Sequence, residues 1–216
     1  MIEDYPANIA AMLLNDTIDV GLVPVAILPR LNEYHFVSDY CIGADGPVAS
    51  VCLFSEKPLH EIKTVLLDYQ SRTSAALTRV LLKNYWKLDP VLEDTRGDEF
   101  LHRIQGDTAG LVIGDRALKQ GSRSAYKYDL AEAWKAHTGL SFVFAAWVSN
   151  KPLPEDFIRA FNEANASGLD HLGEIIRDNP FPAYDLEKYY SENLSYLLDE
   201  KKKAGIKEFL HQMKAL

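Results

Sequence analysis

Thr64–Trp86 reads TVLLDYQSRTSAALTRVLLKNYW. Its opening, TVLLDY, is a short apolar run rich in strand formers. From Ser74 onward Leu77, Val80, Leu81 and Tyr85 recur at helical spacing, so the pattern predicts a strand feeding a helix over Ser74–Trp86. Between the two stand four donors in a row: Ser71, Arg72, Thr73 and Ser74. Hydroxyl residues at such a junction gather side-chain donors and free backbone N–H groups at one helix N-terminus. The helix dipole adds partial positive charge there, which suits a carboxylate or phosphate. Ser and Thr are also the preferred helix caps, where they stabilise by ~1 kcal/mol with no ligand.

The same alternation extends outward. Ala7–Asn15 follows Pro6 as a short amphipathic helix, and IDVGLVPVAIL after it reads as a buried strand interrupted at Pro24. YHFVS, VASVCLFS, GLVIG and FVFAAWVS are further strand candidates, and a helix is expected from Asp129 or Leu130 to His137. Beyond Pro154 the chain turns helical, with Phe157, Phe161, Ala164, Leu172 and Ile176 as its apolar stripe; DEKKK at Asp199–Lys203 reads as a solvated helix start. Short strands alternating with helices predict an α/β fold with a largely parallel sheet. VASVCLFS and FVFAAWVS bracket a middle segment with strands and helices of its own. Two such crossings permit two lobes around a cleft, one from residues 1–54 and 143–216 and the other from residues 55–142.

Composition narrows the function. The 216 residues are 47% hydrophobic and 25% charged, ordinary for a globular chain. A formal charge of −8 argues against nucleic acid or an anionic membrane surface as the main partner. The apolar stretch FVFAAWV is too short to span a bilayer, and Glu3 and Asp4 stand where a secretion signal needs positive charge. With only Cys41 and Cys52, at neither metal nor disulfide spacing, a soluble protein of the reducing cytoplasm is expected; Cys52, inside an apolar strand, reads as packing. Six scattered histidines and the absence of a nucleophile elbow or phosphate loop give no support for a metal or cofactor. Two further constellations are candidates. In IGDRA, Ile113–Ala117, Asp115 would accept a substrate hydroxyl, act as a base if burial raised its pKa, or cap the next helix. In DGPVAS, Asp45–Ser50, the turn-edge Ser50 is a possible ligand donor or a structural residue.

Taken in order, IDVGLVPVA, GPVASVCLFS, LDYQSRTSAAL, AGLVIGDRAL, YDLAEAWKAHTGLSFVFAAW and SENLSYLLDE resemble the chorismate dehydratases of the futalosine route to menaquinone, over essentially the whole chain. The resemblance implies a two-lobed type II periplasmic-binding-protein-like fold, here lacking the usual first strand–helix unit, which would stand before Met1. It also implies a cytoplasmic hydro-lyase that takes a small dicarboxylate, chorismate, to 3-[(1-carboxyvinyl)oxy]benzoate without a cofactor. The sister 1,4-dihydroxy-6-naphthoate synthase carries a catalytic histidine where Gly114 stands and a Thr-Thr pair where this chain has SRTS. A solute-binding module for a small carboxylate would use the same scaffold. By resemblance, Thr73 and Ser74 hold a substrate carboxylate, Ser50 contacts the ligand, Gly114 and Asp115 line the cleft, and Ser141, where the family has proline, and Phe142 stand near its other wall.

Overall fold

The computed structural model describes residues 1–121 and 124–216, and these form two sheets. The first has the order β1 (Val20–Pro24), β8 (Phe142–Ser149), β2 (His35–Ala44), β9 (Ser195–Leu197), with every pair antiparallel. The second has the order β5 (Val91–Asp94), β4 (Thr64–Leu67), β6 (Thr108–Ile113), β3 (Val51–Ser55), β7 (Tyr126–Asp129). Here β4 runs parallel to β5 and β6, while β3 opposes both β6 and β7. The expectation of a largely parallel sheet is therefore corrected. Strands β3 and β8 are each reached from the other sheet, so no helical return within their own sheet dictates parallel pairing.

The chain leaves the first sheet at Ala44 and enters the second at Val51, which puts VCLFS with the middle segment rather than with the residues before it. All five residues of β3 are buried, as expected of a continuous apolar run. Helix α2 (Arg72–Leu81) buries Leu77, Val80 and Leu81, then widens into a π-turn over Leu82–Trp86 that closes on a left-handed Lys87 and leaves Tyr85 exposed. VAIL after Pro24 is 3-10 helical rather than extended, within Val25–Arg30.

One apolar core runs beneath both sheets. At its centre Trp134 of α4 (Leu130–Thr138) meets Phe142 and Phe209 edge-on, with centroids 5.5 and 6.2 Å away. The C-terminal helices behave otherwise than their stripe suggests: α5 (Glu155–Asp170) and α6 (Leu172–Asp178) bury no residue fully, and Phe157 stacks on Phe161, which in turn meets Trp147 edge-on. In the DEKKK run Lys202 is buried, its methylene stem lying beside Gly43, so that stretch is only partly solvated.

After β2 the Asp45 carboxylate accepts from Lys135 Nζ at 2.5 Å and from Ser141 Oγ at 2.6 Å, joining the crossing loop to α4 and to the start of β8. Those two hydrogen bonds hold the Asp45 carboxyl below the usual carboxylate range. A carboxyl with a depressed folded-state pKa contributes stability above its unfolded pKa and loses that contribution as pH falls through the folded value. Asp45→Asn is therefore expected to lower stability at pH 7 by at most about 1 kcal/mol, since the pair is half-exposed, with the difference vanishing at acid pH. Urea unfolding of both chains at neutral and acid pH measures this.

Candidate active site

A cavity of 230 Å³ lies where the two sheets meet. Leu22, Pro24, Ile42, Phe144 and Ala145 line it from the first sheet and its flanks. From the second come Ser50, Val51, Gln70, Ser71, Ser74, Ile113 and Gly114, at the carboxyl ends of β4 and β6, the edge at which open α/β sheets bind ligands. Val48 of the crossing loop, Tyr189 and Leu194 of the C-terminal segment, and Tyr5 and Pro6 at the start of the first helix complete the lining. Its polar side-chain groups are hydroxyls and one amide; among the described residues no Asp, Glu, His or Lys side chain lines it.

The second-sheet wall is built on Asp68, whose side chain is fully buried at the end of β4. It accepts from the N–H of Gln70 at 3.0 Å, from the N–H of Ile113 at 3.2 Å, and from Arg116 Nη2 at 2.9 and 2.7 Å. Arg116 stands in the first turn of α3 (Gly114–Gln120), reaches Asp98 at 2.6 Å and lies over the Tyr69 ring. One carboxylate thus sets the spacing between the loop that starts α2 and the loop that starts α3. At the first, Ser71 caps α2: its Oγ accepts from the Ser74 N–H at 3.1 Å and donates to Ser74 Oγ at 2.7 Å.

Ser50 is set by a strained crossing. Ala49 has φ +63°, and the Ser50 N–H donates back across it to the Val48 carbonyl at 2.7 Å, closing a γ-turn of the uncommon positive-φ kind. Asp129 holds the strain in place by accepting from the Ala49 N–H at 2.7 Å while it caps α4. From the other side, the Gly114 N–H donates to the Ser50 carbonyl at 2.8 Å. Gly114 itself has φ +61° with open space where a Cβ would stand, so the cavity keeps that volume.

Of the residues singled out from sequence, Ser50, Ser71, Ser74 and Gly114 come together around the cavity. The others do not. Thr73 is buried beside them, but its Oγ1 accepts from the Ala26 N–H at 3.3 Å, tying α2 to the 3-10 segment that follows β1. Arg72 is exposed, and so is Asp115, which removes the burial on which its role as a base rested. Neither lines the cavity. Ser141 is spent on Asp45, and Phe142 packs into the aromatic core; the wall that β8 supplies is Phe144 and Ala145 instead. Gln70, Phe144 and Tyr189 line the site without having been singled out, although all three lie within or beside motifs that carried the resemblance. Both cysteines are free and buried; burial pushes the Cys41 thiol up to about 12, and the Cys52 thiol is raised by the same cause.

Known proteins share the family and the fold. A family model described as menaquinone biosynthesis matches residues 1–215. The chorismate dehydratase of Thermus thermophilus is 29% identical over 234 residues, spanning 97% of this chain and 84% of that protein. Among solved structures, a protein of Archaeoglobus fulgidus superposes with a TM-score of 0.71 at 14% identity, over 100% of this chain and 85% of that one. The periplasmic aliphatic sulphonate binding protein SsuA of Escherichia coli superposes with a TM-score of 0.57 at 12% identity, over 99% and 75%. The fold is thus that of the periplasmic-binding-protein class. Among the described residues no helix is long and apolar enough to cross a membrane.

Removing Arg116 would strand a buried carboxylate, so Arg116→Met is expected to destabilise by about 3 kcal/mol in denaturant unfolding. Ala49→Gly should have the opposite sign. Relief of a left-handed alanine is worth ~1–2 kcal/mol, offset by ~0.5–1 kcal/mol for the freer unfolded glycine, so the unfolding midpoint stays level or rises.

Proposed function

The chain belongs to the menaquinone biosynthesis family, and from that premise we propose that it is a chorismate dehydratase, a hydro-lyase that converts chorismate to 3-[(1-carboxyvinyl)oxy]benzoate. The observation that carries this reading is the chemistry of the cavity: apolar walls, neutral hydroxyl donors and, among the described residues, no side chain of formal charge. A volume of 230 Å³ lies below the ~300–1,000 Å³ typical of pockets for drug-sized ligands, which suits a single small ring compound. The two sheets would then serve as two lobes closing on it.

Chorismate carries two carboxylates on a cyclohexadiene ring. The reaction removes the ring proton beside the enolpyruvyl ether together with the neighbouring hydroxyl; these leave as water, and the ring becomes aromatic. Aromatisation drives the step, so the protein's task is to hold both carboxylates and keep the ring oriented while charge develops. Ser74, at the N-terminus of α2, offers a hydroxyl within the positive end of the helix dipole, and Ser50 offers another across the cavity. Arg72 and Asp115 lie outside the lining, so binding by neutral donors replaces the guanidinium, and the proton passes to a carboxylate of the substrate itself. Localisation in the cytoplasm accords with this reading.

Incubation of the purified protein with chorismate should yield an aromatic enol ether, seen as a new ultraviolet band and, by mass spectrometry, as a product lighter by one water. Chorismate bound but unchanged would instead identify a carboxylate-binding module. Asp115→Asn is expected to turn over within a few-fold of the unaltered chain; a loss of about a hundredfold or more would restore Asp115 as the base.

A further inference from the structure

We propose that Tyr189 is a positioning residue that aims the Ser50 hydroxyl at the substrate. The inference rests on the dehydratase reading and adds to it a residue from a distant part of the chain. Tyr189 Oη lies 2.9 Å from Ser50 Oγ, and both side chains line the cavity. A phenol is a stronger acid and a poorer acceptor than an aliphatic hydroxyl, so the phenol donates and the serine oxygen accepts. Burial pushes the Tyr189 pKa up, which keeps that proton in place at neutral pH. With one lone pair engaged, the Ser50 hydrogen is left to turn into the cavity, where an anionic oxygen can take it. Without Tyr189 the serine hydroxyl would rotate among several orientations, only some of them useful.

The phenol is itself held. Tyr189 opens a π-turn over Tyr189–Asn193, an irregularity frequent at functional sites. Asn193 closes that turn onto the strained crossing: its Nδ2 donates to the Pro47 carbonyl at 2.9 Å, and its Oδ1 accepts from Tyr184 Oη at 3.0 Å. The rings of Tyr184 and Tyr190 pack edge-on against Tyr189, with centroids 6.3 and 5.1 Å away. Ser50 is therefore fixed twice, its backbone by Ala49, Asp129 and Gly114 and its side chain by Tyr189.

A double-mutant cycle on chorismate turnover tests this. Tyr189→Phe and Ser50→Ala each delete one oxygen and keep the packing. Tyr189→Phe is expected to lower kcat/KM about tenfold and Ser50→Ala about a hundredfold, both in the same parameter, kcat or KM. Because Tyr189 acts through Ser50, the double variant should be no worse than Ser50→Ala alone. Losses that multiply to about a thousandfold, a Tyr189→Phe chain within twofold of the unaltered one, or losses split between kcat and KM would each overturn the proposal while leaving the dehydratase reading intact. An unaltered chain that does not turn over chorismate would overturn that reading, and this proposal with it.

Discussion

The buried carboxylate of Asp68 is the constraint on which the candidate site depends. A carboxylate removed from water is tolerated only where donors replace its hydration, and here two backbone N–H groups and a guanidinium do so. Because the donors come from the β4–α2 loop, the end of β6 and the first turn of α3, satisfying one charge fixes all three together. Ser71, Ser74 and Gly114 thereby hang on a rigid frame, which is what a site relying on orientation requires. Gly114 then carries the frame across to the crossing loop, through its hydrogen bond to the Ser50 carbonyl.

The cavity draws its polarity from groups that bear no formal charge. In a chain with an overall charge of −8, attraction of the dianion proposed as substrate cannot come from the field of the whole molecule. It has to come from local dipoles: the N-terminus of α2 and hydroxyls whose oxygens are already engaged by neighbours. Neutral donors in an apolar pocket strengthen as water is excluded, and they need no reorganisation when charge moves from the ring carbon to the departing hydroxyl. The proposed dehydration, driven by aromatisation, asks little more than that. The strain at Ala49 fits the same economy, since the backbone is bent to place one hydroxyl and Asp129 keeps it bent.

Much of this was legible in the chain itself. TVLLDY followed by SRTSAAL announces a strand entering a capped helix, because apolar period and cap chemistry are local properties. Ser71 is that cap, while the helix starts at Arg72, so Ser74 lies inside its first turn rather than at its outset. IGDRA likewise marks a strand end and a helix start, but it singled out Asp115, whereas the partly buried residue is Arg116, one residue on, turned inward toward Asp68. FVFAAWVS announces a buried strand without saying which of its rings faces a cavity and which faces the core. Phe142 took the core because Trp134 and Phe209 stand beside it.

Local composition and periodicity thus indicated β1 to β4, β6 and β8, though not the shorter β5, β7 and β9, together with the mixed α/β character and the hydroxyl-rich junction at the start of α2. Only the tertiary structure decided the directions of the strands, which of those hydroxyls share a cavity, and that Tyr189, 139 residues from Ser50, completes it. The physical reason is that period and propensity specify which face of an element is buried. What covers that face is settled by packing between segments far apart in the chain, where no short-range pattern records the partner.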